Sequence, residues 1–272
     1  APTTASDPAD TLGPKHVLVI GIDGCRSDAL QAAAKPNLAQ LIANGTVCYR
    51  AYAGGHVGQK TEQRLGSGPG WASILTGVWA DKHSVVNNRF TSPNLIKIVD
   101  GKNLGYPPFF ARIKEKSPNA YLASIVNWKP INAKLVFDVD LADNGSDAEV
   151  AEKCAELLLS DKNPTAIFLQ FDDVDHVGGD DNGGGFDPKN PDYMEVIETT
   201  DRHIGTVLNA MRKRPNFANE DWLVLVTSDH GGLGTSHGNQ TPEERTVFIV
   251  AAGGKFPKGK VIDAEWGIVA LA

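Results

Sequence analysis

Asp229 and His230 stand side by side in the run "TSDHGG". A hard carboxylate oxygen beside an imidazole nitrogen suits zinc, and less specifically manganese or iron. The bland alternative is a helix cap followed by a surface histidine. Asp23, in "GIDG", supplies the natural third ligand, and His237, in "GTSHGNQ", the natural ligand of a neighbouring ion. Asp175 sits in "DDVDHVGGDDNGGGFDP" (172–188), a stretch so dense in Asp and Gly that it reads either as a metal loop or as a solvated rim. An EF-hand does not fit there. Started at Asp173 it would need an acid or amide at 177 and Glu at 184, where the chain has Val177 and Gly184.

A nucleophile is also on offer. "RLGSGPGWASIL" places Ser67 in a glycine-flanked turn just before a predicted helix, where free backbone N–H groups, that of Gly68 among them, can hold an anionic oxygen. A serine hydroxyl coordinated to a metal loses its proton without a histidine base. An ordinary serine N-cap would use the same geometry. The nucleophile elbow of Gly-x-Ser-x-Gly type is absent, because Leu65 and Pro69 occupy its glycine positions. "GKFPKGKV" (254–261) misses a Walker A loop by Val261, which replaces the magnesium-binding Ser or Thr.

Positioning these residues is the task of alternating strands and helices. Apolar runs at 16–22, 121–128, 165–171, 222–228 and 246–251 read as strands buried on both faces. Helices are predicted over 147–159, opened by a Ser146/Glu149 capping box, and over 192–213. Residues 176–191 read as loop. The pattern predicts an α/β fold, a three-layer α/β/α sandwich around a mostly parallel central sheet. Ligands collect at the carboxyl ends of strands in such sheets. Here "GIDG", "DDVDH" and "SDHGG" each follow a predicted strand, so three strands end on candidate ligands.

With 272 residues, the chain is expected to comprise a flexible segment, 1–14, and one catalytic domain, 15–272. A formal net charge of −7 argues against a nucleic-acid platform, which needs a basic face. No apolar run reaches the roughly 18 residues of a membrane span. Three cysteines are too few for a disulfide scaffold, and Cys25 and Cys154 read as small buried hydrophobes. The polar start "APTTASDPAD" resembles the end left by signal cleavage, so a secreted or periplasmic location is expected. The close "DAEWGIVALA" reads as an unfinished helix, as if the chain were truncated there.

Taken in order, "GIDGCRSDAL", "SGPGWASILTGVWADKHSVVNN", "DDVDHVGG" and "TSDHGG…SHG" resemble the alkaline phosphatase superfamily, with the nucleotide pyrophosphatase/phosphodiesterase branch the nearest. The resemblance spans roughly residues 16–252. It implies two divalent metal ions, zinc first among them. Asp23, Ser67, Asp229 and His230 would surround one ion, and Asp175 and His237 the other. It implies hydrolysis of a small phosphoric ester or nucleotide-like substrate through a phosphorylated Ser67, with Asn88 holding a phosphate oxygen. Trp71 and Tyr106 are candidates for an aromatic face against the substrate, with core packing the alternative for Trp71.

One departure stands out. The family pattern here is Asp-x-x-Gly-His with both ends binding metal, and Gly179 occupies the histidine position. His176, Asp180 or Asp181 would have to substitute, or the second ion binds weakly and turnover is reduced. Sulfatases and phosphomonoesterases of the superfamily are rival readings, although Trp71 replaces the arginine of the sulfatase pattern. An inactivated variant serving as a binding module is the remaining alternative.

Overall fold

The computed structural model describes residues 13–91, 93–99 and 102–272, so most of the predicted N-terminal segment, residues 1–12, lies outside the described residues. Among the described residues are ten strands: β1 (Lys15–Ile22), β2 (Gly45–Tyr52), β3 (Ile98–Val99), β4 (Lys102–Asn103), β5 (Tyr121–Val126), β6 (Leu141–Asn144), β7 (Pro164–Phe171), β8 (Asp221–Thr227), β9 (Thr246–Gly253) and β10 (Lys260–Val261). Eight form one sheet in the order β10-β2-β9-β8-β1-β7-β5-β6, while β3 and β4 pair in a separate hairpin. The run β8-β1-β7-β5-β6 is parallel throughout.

β1 lies at the centre and is apolar on successive residues because both of its faces are covered. Leu18, Ile20 and Ile22 enter one hydrophobic cluster and Val19 the other. Each such fully buried aliphatic side chain contributes about 1.5–3 kcal/mol relative to exposure. The helices Asp147–Leu159 and Pro191–Arg212 pack in the first cluster through Val150, Cys154, Ile197, Ile204 and Leu208. The helix Ser67–Thr76 packs in the second through Trp71, Ile74 and Leu75. The predicted three-layer architecture is therefore present. The capping box forms as expected, with Ser146 accepting from the Glu149 backbone and Glu149 reaching back to Ser146.

Three elements differ from expectation. β9 runs antiparallel to both β8 and β2. An antiparallel pair needs no crossover helix, and only the turn at 228–241 and the short helix Pro242–Arg245 separate β8 from β9. β2, "GTVCYRAY", was not expected as a strand. Residues Asp173–Gly178 form a short helix, so Asp175 is carried on a helical turn rather than on an irregular loop. No helix among the described residues is long and apolar enough to cross a membrane.

Candidate metal and nucleophile site

β7, β1 and β8 are adjacent and parallel, so the residues following them emerge together at one edge of the sheet. Asp23 follows β1, Asp175 lies on the helix after β7, and Asp229 and His230 follow β8. The Asp23 backbone N–H extends the ladder to Phe171 O (2.9 Å), and Gly24 then turns sharply at φ +65°. A Cβ on Gly24 would stand 2.8 Å from the Asp175 Cα, so only glycine lets these two segments close up. Tyr193 secures the turn, donating its hydroxyl to Gly24 O (2.7 Å) and accepting from Arg26 N (3.0 Å).

Two ligand groups result. Asp23, Asp229 and His230 form one, and Asp175, His230 and His237 the other, with the ligand atoms of each within 4.8 Å of one another. His230 Nε2 is 3.4 Å from Asp23 Oδ1 and 3.5 Å from Asp229 Oδ2; His237 Nε2 is 3.8 Å from Asp175 Oδ1. The two imidazoles stack with centroids 4.1 Å apart. His230 Nδ1 faces Gly231 O at 2.8 Å and His237 Nδ1 faces Leu65 O at 3.2 Å. A carbonyl only accepts, so each neutral ring carries its proton on Nδ1 and presents a bare Nε2 lone pair to the site.

The donor set fits a divalent cation. Asp175 Oδ1, Asp229 Oδ2 and His230 Nε2 are buried and have no hydrogen-bond partner among the described residues; the only other such side-chain atom is His16 Nε2, on β1 away from this edge. Burial, reinforced by Asp229, pushes the Asp23 carboxyl well above the ordinary carboxylate range. Burial, reinforced by Asp175, does the same to Asp229. Burial and the neighbouring His230 push His237 down, toward the neutral form that binds metals. Buried carboxylates crowded in this way need a cation to remain ionised.

Ser67 is the first residue of its helix, and its Oγ lies 3.3 Å from Asp23 Oδ1. Gly70, one turn on, would place a Cβ 2.8 Å from the Asp229 Cβ, so the helix end abuts the first ligand group. Asn88 is exposed, and its Oδ1 accepts from Gly68 N at 2.8 Å. The Gly68 N–H expected to be free for an anion is thus engaged. That bond instead fixes the Asn88 amide and leaves its Nδ2 donors unengaged among the described residues.

Trp71 does not offer an aromatic face to a substrate. It is fully buried against Phe168, and its Nε1 donates to Asp23 Oδ2 at 2.7 Å. Gln170, unremarked in the sequence, works with it. Backbone N–H groups of Asn127 and Trp128 hold Gln170 Oε1, which aims Nε2 at Asp23 Oδ2 (3.1 Å) and Asp172 Oδ1 (2.8 Å). Two donors therefore occupy Asp23 Oδ2 and leave Oδ1 for the site. The available signal was one amide in the otherwise apolar run "TAIFLQF". Outer hydrogen bonds of this kind typically contribute 10–100-fold in metal affinity. Trp71→Phe is accordingly expected to weaken zinc binding by about that factor, and competition with a chromophoric chelator measures it.

None of the residues offered as substitutes at Gly179 turns toward the site. His176 is largely exposed and pairs with Asp172 at 3.0 Å. Asp180 accepts from Asn182, and Asp181 from Thr235. The third residue of the second group is instead His230, which also belongs to the first. The Asp172 carboxylate raises the His176 pKa to about 9. The pair's stabilisation is then fully present below pH 6.5 and lost as pH rises through about 9. Replacing His176 with glutamine should cost at most about 1 kcal/mol, given the exposure of the imidazole, and should cost nothing above the folded pKa. Urea denaturation of both proteins across that window checks it.

The match to a family model described as type I phosphodiesterase / nucleotide pyrophosphatase covers residues 17–252. Similar solved structures include an inactive form of murine ectonucleotide pyrophosphatase/phosphodiesterase 5 in complex with AMP: TM-score 0.69, 15% identity, with 94% of this chain and 92% of that one covered. The phosphonate monoester hydrolase of Agrobacterium radiobacter is similar at TM-score 0.63 and 13% identity, covering 94% and 72%. A 2-O GAG sulfatase matches at TM-score 0.68 and 14% identity, covering 94% and 68%. At these identities the structures share the fold.

Proposed function

This chain belongs to the type I phosphodiesterase / nucleotide pyrophosphatase family, and from that premise we propose that it hydrolyses phosphoric esters, diesters or nucleotide pyrophosphates, with Ser67 as nucleophile and divalent metal ions, zinc first, as cofactors. The observation that carries the proposal is the convergence of unpartnered buried ligand atoms beside the Ser67 hydroxyl. Asp23, Asp229 and His230 would hold one ion, and Asp175 and His237 a second that borrows from the shared His230. Bound there, the metal would supply positive charge that lowers the pKa of a hydroxyl or water and neutralises charge developing on phosphoryl oxygens.

The protein's own residues account for the rest. Asp23, locked by Trp71 and Gln170, holds Oδ1 toward Ser67 and orients its hydroxyl. The Ser67 oxygen gives up its proton and attacks phosphorus in line; its bond to phosphorus forms as the bond to the leaving oxygen breaks, and that oxygen takes up the proton as it departs as an alcohol or nucleotide. Asn88 Nδ2 donates to a phosphoryl oxygen in that step. Water then attacks the same phosphorus, restores the Ser67 hydroxyl and releases the phosphoric product. The AMP bound by the murine structure supports a nucleotide-like substrate.

Two assays test the proposal together. Bis(4-nitrophenyl) phosphate should be cleaved in the presence of zinc and lose turnover after chelation, while 4-nitrophenyl sulfate stays intact. Cleavage of the diester that survives complete metal removal would contradict it.

A further inference from the structure

Phe186 falls in the Asp- and Gly-rich stretch 172–188, yet it is only 1% exposed. It carries no atom that could bind a metal or a phosphate. What its ring touches is the set of segments that carry the ligands. A Cβ on Gly178, in the helical turn bearing Asp175, would fall 2.3 Å from the Phe186 Cδ1. A Cβ on Gly232, two residues past His230, would fall 2.3 Å from Cδ2. The His237 imidazole meets the ring nearly perpendicularly, with centroids 6.2 Å apart. Tyr193, whose hydroxyl secures the turn after Asp23, makes a T-shaped contact with it at 5.7 Å. One apolar side chain thus packs against the carriers of Asp175, His230 and His237.

We infer that Phe186 is a positioning residue for the second ion: its ring sets the spacing of Asp175, His230 and His237. Those segments have little stiffness of their own, with five glycines between 178 and 185 and four between 231 and 238. Backbone bonds converge on the same residue. Phe186 N donates to Gly234 O at 2.7 Å, while Arg26 Nη1 donates to Phe186 O at 2.7 Å and to Gly232 O at 3.4 Å. Zinc accepts donor atoms only near about 2.0–2.2 Å, so ligands on separate loops bind it well only if something fixes their separation. The same packing gives a reason for glycine at 178 and 232, where a side chain would displace the ring. The inference rests on the two-ion reading above and adds to it a residue that offers no ligand atom.

The test is zinc titration of the full chain in competition with a chromophoric chelator, with cobalt(II) absorption spectra reporting ligand geometry. Phe186→Ala should weaken the second ion at least about tenfold, and the first ion less. Phe186→Leu, which keeps apolar volume, should recover most of the affinity. Gly232→Ala keeps the ring but crowds it, so it should weaken the second ion in wild type and add nothing once residue 186 is alanine. Phe110→Ala removes an equally buried ring from the other hydrophobic cluster. It should lower the urea midpoint while leaving both zinc affinities and the cobalt spectrum unchanged. A folded Phe186→Ala protein with wild-type second-ion affinity overturns the inference, as does equal weakening by Phe110→Ala. If Phe186→Ala does not fold, Gly232→Ala decides in its place, and wild-type affinity there overturns the inference. A wild type that binds a single ion would instead count against the two-ion reading. The imidazole NMR signals of His230 and His237 in metal-free protein then decide the role of Phe186. They should be single and sharp in wild type and broadened or doubled in Phe186→Ala, and unchanged line shapes would overturn the inference.

Discussion

Replacing Ser67 with alanine is expected to lower diester turnover at least about 10³-fold, the scale on which removal of a covalent nucleophile acts, while the fold survives. The side chain is nearly buried, but its one hydrogen bond, to Asp23 at 3.3 Å, is long. Losing it costs little stability, since alanine fits the first turn of a helix. Asp23 keeps its bonds from Trp71 and Gln170, so the ligand groups persist. Ser67→Thr, which retains a hydroxyl at the same Cβ, should keep most of the activity. Steady-state rates for the three proteins, with zinc stoichiometry measured alongside, separate loss of the nucleophile from loss of the metal. An alanine variant with wild-type turnover would remove Ser67 from the reaction.

The second large effect is a gain. Gly179→His is expected to tighten the second ion about 10–100-fold and to raise turnover with it. The backbone there is ordinary right-handed helical, φ −85° and ψ −1°, so a side chain brings no conformational strain. A Cβ meets only Asp175 O, at 3.2 Å, and a shift of a few tenths of an ångström relieves that contact. The new imidazole would project from the turn that carries Asp175 and release His230 from serving two ions. Zinc titration of wild type and variant should show one tight and one weak ion becoming two tight ones. Two tight ions in wild type, or no change in the variant, would contradict the shared-His230 account.

Most of the site was legible in the sequence because of where polarity begins. Asp23, Asp229 and His230 each follow a run of apolar residues, and a strand buried on both faces can carry an acid only past its end. Parallel neighbours then bring those ends together. The supporting atoms were not legible. Trp71 reads equally as a core residue or as a face for a substrate until its indole N–H is found on Asp23, because sequence shows an aromatic ring but not its direction. Gln170 hides inside a strand, where its amide is tolerated only because two backbone donors and two carboxylates satisfy it. The helical turn at 173–178 defies its Gly and Asp content. Tertiary packing overrides propensity there: Val174 is fully buried, and Phe186 packs within 2.3 Å of where a Cβ on Gly178 would lie. The closeness of His230 to both groups goes with its stacking on His237, which spacing along the chain does not disclose.

The central claim is that phosphorus is transferred to Ser67. Acid quenching of zinc-loaded protein during turnover of bis(4-nitrophenyl) phosphate, followed by peptide mass spectrometry, tests it most directly. The expected result is a nitrophenyl-phosphoryl adduct on the peptide containing Ser67, fragmenting to that residue and absent from the Ser67→Ala protein. Turnover at full rate with that peptide unmodified at every quench time, and with solvent oxygen transferred to product in a single displacement, would contradict it.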